Sequence, residues 1–537
     1  MGMKRRVIIF GLDGATYTVL DDLARRGVMP HLREFMQRGV RGALMSTIPP
    51  LTPPAWTTLV TGRSPGAHGI FNFLQFDGNS PYLRIISSRE ICCETIWSTV
   101  SRHGGRAASL NFVAHSPAPK INGYVIPGWV PWRWVKKHSH PAGLIDSLKS
   151  EVPGFDLQEL AMDFDEEQKA VAGKEIEDCD AWIDIHIRRE KQWFGCFRHM
   201  LQHGDCDLLG IVFDGVDKLQ HLLWQFVDPK LQPVNPSDSF LGTRERCWDY
   251  FRLIDGFLGE TVELAGEEAM ILIASDHGFC GSTEVVYINN WLEQQGWLTW
   301  SDRAGVEPAE SQSLGEAHPY HITHLDMTRT KAYATSASSN GIHINVAGVR
   351  GEHGIHPREY EAFRRELREA LLRRCRDPRG NEPLITQVWT RDEAFAGPKS
   401  DLAPDLTVAL RDGGFFSVLR SDTILKPRPV VMGSHHPEGV LMACGNGVRR
   451  GAALPPARLL DIAPTVLYAL GLPIPPDLEG AVLDEMFTEE YCQTRRARFE
   501  HAPANGRNGQ SEEPLELADD EGEAKVIMRL KALGYIE

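Results

Sequence analysis

Four apolar residues in a row, Val7 to Phe10, lead into Gly11-Leu12-Asp13-Gly14, the pattern of a strand buried on both faces that ends in a turn. The same kind of run recurs as AASLNF (107–112), CDLLGIVFDG (206–215), AMILIASDHG (269–278), DLTVAL (405–410) and GVLMACG (439–445). After the first run, Leu23, Val28, Leu32, Phe35 and Met36 fall at helical spacing and predict a helix over 21–40. Apolar strands alternating with amphipathic helices predict an α/β fold: a doubly wound, mostly parallel central sheet flanked by helices. Two stretches break the rhythm. Residues 117–204 hold GWVPWRWVKKHSHPAG and then long polar helices, and residues 286–398 are mixed and weakly periodic. Both predict cap insertions on a core built from residues 1–116, 205–285 and 399–490. Residues 491–537 read as an acidic, mobile tail leading to a short C-terminal helix, EAKVIMRLKALGYIE.

At 537 residues and 42% hydrophobic content, the chain can bury a large core. Its net charge is −15, which argues against a nucleic-acid polymer or an anionic membrane as partner. An anionic small substrate stays open, because bound cations can reverse a local field. The ten cysteines are scattered and none forms C-x-x-C, so reduced thiols and a cytoplasmic location are expected. The apolar run after MGMKRR is too short for a signal-peptide core, and no run approaches a membrane span.

Open α/β sheets place ligands outside the carboxyl ends of their strands. Acidic residues stand at those ends: Asp13 after VIIFGL, Asp214 and Asp217 after LLGIVF, and Asp276 beside His277 after ILIAS. Side by side they would repel one another unless a cation held them, so a metal site is expected. In DKLQH, Asp217 and His221 are four apart and share a helix face. Adjacent Asp276 and His277 should point in different directions, which suits a site shared between ions. MGSHHPEG adds His435 and His436. Imidazole with carboxylate suits zinc, with manganese or iron as alternatives. Taken singly, each motif also reads as a turn, a helix cap or a solvated loop.

In STIPPLTPPAWTTLVTG, four prolines crowd Thr52. They read either as a rigid helix entry or as a frame presenting Thr52 at a helix N-terminus. Asn111 and Lys218 are candidate substrate-binding residues, Asn111 as a phosphate donor. Asp214 either steadies an imidazole or caps a helix, and His68 suits a structural hydrogen bond.

GLDG, TPPAWTTLVTGRSPGAHGI, DKLQH, ASDHGF and GSHHPEG together make the chain resemble the type I phosphodiesterase / nucleotide pyrophosphatase family of the alkaline phosphatase superfamily. The start GLDGAT, the stretch DIAPTVLYALGLPIPPDLEG and the terminal LGYIE are similar to prokaryotic members described as predicted phosphohydrolases or phosphomutases. The resemblance implies two divalent metal ions, zinc or manganese. It places Asp13, Thr52, Asp276 and His277 around one, and Asp217, His221 and His435 around the other. His435 is preferred to His436 because the family's ligand follows a G-x step, here Gly433-Ser434. Thr52 is then the nucleophile of a phosphodiesterase acting on a small phosphate ester through a phosphothreonine. A phosphomutase or phosphomonoesterase acting on a small sugar phosphate uses the same site, and a non-catalytic metal-binding protein is the remaining alternative. Family nucleotide pyrophosphatases carry an asparagine three residues after the nucleophile, where this chain has Ala55. The sulfatase pattern C/S-x-P-x-R is not met by TPPAW.

Overall fold

Arg6–Leu12 (β1) is buried from Val7 onward on both faces, as its unbroken apolar run predicts. A computed structural model describes residues 6–76, 83–161, 163–302, 324–349 and 351–500. These fall into two compact units, one of residues 6–64, 87–279 and 436–500, the other of 65–86 and 280–435.

Among the described residues, the first unit holds a nine-stranded sheet. Its strands are β1, β2 (Val40–Met45), β3 (Ala107–Leu110), β4 (Gly123–Ile126), β5 (Leu208–Phe213), β6 (Ala269–Ala274), β7 (Glu438–Gly445), β8 (Ala452–Ala453) and β9 (Ala457–Arg458). The spatial order is β8-β2-β7-β6-β1-β5-β3-β4, with β9 also on β2. All pairings are parallel except those of β7, which runs against β2 and β6. The expected α/β fold with a mostly parallel, helix-flanked sheet is thus observed. Leu12 lies opposite Phe213, and Gly11 opposite Ala274. The chain segments that follow β1, β5 and β6 therefore leave the sheet at one edge.

The helix expected over 21–40 is two helices, Tyr17–Arg26 and Pro30–Arg38. Gly27 takes a left-handed φ of 77° and closes the first, and Pro30 starts the second. Residues 117–204 lie within the first unit. They supply β4 and the helix Asp180–His203, whose Phe194 stacks on Phe257 of the helix Asp238–Ala265 at 4.1 Å between ring centres. Trp97 and Trp56 both meet Phe112 edge-on, at 5.3 and 5.5 Å, beneath the strand ends.

The second unit, which includes residues 286–398, has its own antiparallel sheet, ordered Ala332–Tyr333, Gly341–Ile344, Leu406–Leu410, Ile385–Thr390. Trp291, Trp297, Leu367 and Val408 lie in its core. LTVAL, expected in the central sheet, belongs here instead. Its apolar run correctly signalled burial, but a run does not specify which strands lie beside it. The helix Glu489–Thr494 and the backbone bonds between Ile474 and Arg498–Glu500 pack the chain as far as residue 500. The rest of the expected tail and its C-terminal helix lie outside the described residues.

One buried imidazole gives the first unit a pH signature. His115 Nδ1 lies 2.9 Å from Ser109 Oγ, and burial pushes the ring's pKa down to about 4. The unfolded chain takes up this proton near pH 6.5 and the folded chain does not, so stability falls as pH drops from there toward 4. His115→Gln, which cannot titrate, should remove about 2 kcal/mol of the loss between pH 6.5 and 5. Urea unfolding midpoints of both proteins at the two pH values check this.

Candidate active site

The turn after β1 is held from several sides. The Asp13 amide donates to the Phe213 carbonyl at 3.2 Å, and Trp56 Nε1 donates to Asp13 Oδ2 at 3.4 Å. The Gly14 amide donates to Asp276 Oδ1 at 3.1 Å, and its carbonyl accepts from Gln220 Nε2 at 2.8 Å. Gly14 has a φ of 65°, and a Cβ there would lie 2.5 Å from the Phe279 ring and 3.2 Å from Asp217 Oδ1. Gly14→Ala should therefore cost about 3 kcal/mol through backbone strain and overpacking, and should disturb both carboxylates. Denaturant unfolding and metal titration of the variant test this.

Asp276 and His277 do not point apart as expected. β6 ends at Ala274, and the bend that follows abolishes the alternation of an extended strand. Ser275 Oγ accepts the Val440 amide at 2.7 Å and fixes the bend. Asp276 Oδ2 comes to 3.2 Å from His277 Nε2. His277 Nδ1 lies 3.1 Å from the Gly278 carbonyl, and only a protonated nitrogen can donate to it. In the neutral ring the Nε2 lone pair then faces the site. Around Nε2 stand Thr52 Oγ1 at 3.3 Å, Asp13 Oδ1 at 3.6 Å and Asp217 Oδ1 at 3.9 Å. Thr52, Asp13, Asp217, Asp276 and His277 are all fully buried.

Thr52 opens a helix, Thr52–Thr61, all of whose residues are buried. The prolines bring a consequence that reading them as a rigid helix entry overlooks. Pro53 and Pro54 have no N–H, and the Ala55 amide is spent on the Leu51 carbonyl at 3.0 Å. Of the first-turn amides that usually make a helix N-terminus an anion site, Thr52's own is left.

The helix Gly215–Val227 begins directly after Asp214 and carries Asp217, Lys218 and His221. His221 Nε2 is 3.4 Å from Asp217 Oδ1, so Asp217 stands between His221 and His277. The Lys218 ammonium is buried 2.7 Å from Asp214 Oδ2, with the Trp129 ring centre at 5.8 Å. Asn111 commits its amide nitrogen to the Val212 carbonyl at 2.8 Å and to Asp214 Oδ1 at 3.2 Å. Through this nitrogen it braces that turn. Asp214 accepts on both oxygens, and Arg189 and Glu190, which sequence reasoning missed, also reach this turn. Within the second unit, His435 is buried near the end of the strand Leu425–His436, edge-on to Phe415 at 4.9 Å. His68 accepts the Ile70 amide at 3.1 Å, a structural bond.

The acids carry the electrostatic cost of this convergence. Burial, with the neighbouring charges of Asp276, Asp217 and Asp214, holds the Asp13 pKa well above the usual carboxylate range. Burial and the Asp217 charge push Asp276 up to about 8. Asp13 Oδ1 and Asp276 Oδ2 are buried and receive no hydrogen bond. Ligand atoms of Asp13, Asp217 and His277 lie within 4.8 Å of one another. These two carboxylate oxygens, beside an imidazole lone pair and a hydroxyl, fit a divalent cation.

The fold and site define an α/β protein with acidic and imidazole side chains gathered at one edge of a mostly parallel sheet. The sequence profile of the type I phosphodiesterase / nucleotide pyrophosphatase family matches residues 7–436, and the chain belongs to that family. It is thus a hydrolase of the phosphodiesterase / nucleotide pyrophosphatase type, in a metal-dependent family. Murine ectonucleotide pyrophosphatase / phosphodiesterase 5, solved as an inactive variant with AMP, shares the fold at a TM-score of 0.51 and 14% identity, over 90% of this chain and 100% of that one. Phosphonoacetate hydrolase from Sinorhizobium meliloti, solved with phosphonoacetate, shares it at 0.51 and 15%, over 87% and 95%. Human ectonucleotide pyrophosphatase / phosphodiesterase 5 gives 0.50 and 16%, over 90% and 100%. A search of curated proteins found no match. Among the described residues, no helix is long and apolar enough to cross a membrane.

Proposed function

We propose that the chain is a two-metal phosphodiesterase that cleaves a small phosphodiester through a covalent phosphothreonine at Thr52. The observation that carries this reading is the convergence of Thr52 Oγ1 and three buried carboxylates on His277 Nε2, within 3.2 to 3.9 Å. Asp13, Asp276, His277 and Thr52 would hold one ion. Asp217 and His221 would hold the other, with His435 carried over from the GSHHPEG motif. Zinc suits this donor set, and manganese is the second choice. Bound divalent ions supply Lewis acidity, which lowers the pKa of a hydroxyl and offsets phosphoryl charge.

The chain's own residues do the rest. Trp56 and Gly14 orient the carboxylates of Asp13 and Asp276 before substrate arrives. Thr52 Oγ1 attacks phosphorus and the leaving alcohol departs, which links the retained half of the substrate to Thr52. Water then cleaves that ester and frees the threonine. Ala55 offers no side-chain donor and the two prolines offer no amide, so Thr52's own N–H is the helix's contribution to the phosphoryl oxygens.

A hydrolysis screen tests the reading. The zinc- or manganese-loaded chain is offered a chromogenic phosphodiester and the matching monoester. Diester turnover well above monoester turnover is expected. Monoester preference would replace the phosphodiesterase assignment with a phosphatase, and isomerisation of a sugar phosphate offered beside them would replace it with a mutase.

A further inference from the structure

Asp214 and Gly215 form the step from β5 into the helix that carries Asp217 and His221. Two adjacent residues of the helix Asp180–His203 grip this step. Arg189 Nη1 donates to Asp214 Oδ2 at 3.1 Å, and the Gly215 amide donates to Glu190 Oε1 at 2.9 Å. Tyr250 Oη, on the helix Asp238–Ala265, donates to the same Glu190 oxygen at 2.9 Å. We propose that Arg189 and Glu190, steadied by Tyr250, are positioning residues that set the Asp217–His221 half of the metal centre.

Three observations carry this. First, the grip acts at two points, a side chain on one residue and a backbone amide on the next. One contact would fix only the position of the turn, whereas two also fix the helix's rotation about it. Asp217 and His221 project from the first two turns, so that rotation decides where their ligand atoms fall. Second, Arg189, Glu190, Asp214 and Tyr250 are at most 3% exposed. A buried ion pair adds little stability over a well-packed apolar pair, so charge here serves orientation better than stability. Third, a Cβ on Gly215 would lie 2.5 Å from Tyr250 Oη and 2.7 Å from Glu190 Oε1. Only glycine lets the carboxylate reach the amide.

The inference rests on the two-metal reading, and the experiment separates the two. Zinc is titrated into the full-length chain against a chromogenic chelator, for the wild type, Glu190→Leu, Glu190→Gln and Tyr250→Phe. Expected is one site unchanged in Glu190→Leu and the other weakened about 10- to 100-fold. At limiting zinc kcat should fall in parallel with little change in KM, and excess zinc should restore it. Glu190→Gln keeps an acceptor for the Gly215 amide and should recover most of the affinity. Tyr250→Phe removes one hydroxyl and should weaken the same site by about 3-fold. If Glu190→Leu does not fold, the Tyr250→Phe result decides. Two wild-type affinities in the variants, with only a lower Tm, would overturn the positioning role. A wild-type chain that takes up no zinc would overturn the two-metal reading, and the inference with it.

Discussion

Thr52→Ala should take up divalent metal and hydrolyse no phosphodiester, a loss of about 10⁴-fold or more. The size of the effect follows from the chemistry lost. Alanine retains the helix entry and removes the Cγ2 methyl and Oγ1, the hydroxyl 3.3 Å from His277 Nε2. Asp13, Asp276 and His277 remain to hold a cation, so metal uptake persists at reduced affinity. Pro53, Pro54 and the buried helix Thr52–Thr61 are untouched, so the melting temperature should change little. Thr52→Ser should keep measurable turnover, because it retains a hydroxyl on the same backbone. Metal content, melting temperature and turnover measured on the three proteins separate loss of a nucleophile from loss of the site. Wild-type turnover in Thr52→Ala would sink the nucleophile assignment.

Stripping the metal should abolish turnover and change how stability depends on pH. The Asp276 pKa is raised to about 8 in the metal-free fold, through burial first and the Asp217 charge second. Between pH 4 and 8 the folded chain therefore keeps a proton that the unfolded chain has released. The folded state binds more protons, so its stability falls as pH rises through this window, by about 1.4 kcal/mol per pH unit from this group alone. Asp13 shifts in the same direction. A cation replaces those protons, so the stabilisation it gives should grow with pH. Melting temperatures at pH 5 and pH 8, with zinc and with a chelator, should show a gap that widens at the higher pH. A gap of constant width would mean that these acids do not meet the ion.

Much of this site was legible in the chain because buried parallel strands are continuous apolar runs, and their carboxyl ends are where polar residues gather. VIIFGL, LLGIVF and ILIAS pointed to Asp13, Asp217 and Asp276 in this way, and the DKLQH spacing brought His221 with Asp217. What stayed hidden depends on contacts between distant parts of the chain. Arg189 and Glu190 lie 25 residues from the turn they hold, and Tyr250 lies 60 from Glu190. In the sequence they look like ordinary polar positions on a long surface helix. VRGALM (β2) carries no such signal, because Arg41 interrupts it and most of its positions are only half-buried. Asn111, at a strand end, reads in the sequence as a candidate phosphate donor. Its donors face the Val212 carbonyl and Asp214, which only the fold brings near. The convergence of Asp276 with His277 likewise depends on a bend that residue order does not reveal.

The most direct measurement is capture of the covalent intermediate. The zinc-loaded chain is mixed with a chromogenic phosphodiester, quenched in acid within the first turnovers, digested and mapped by mass spectrometry. An adduct on Thr52 carrying the phosphoryl half of the substrate is expected, absent from Thr52→Ala and from the chelated protein. Steady turnover with Thr52 unmodified throughout, and undiminished in Thr52→Ala, would contradict it.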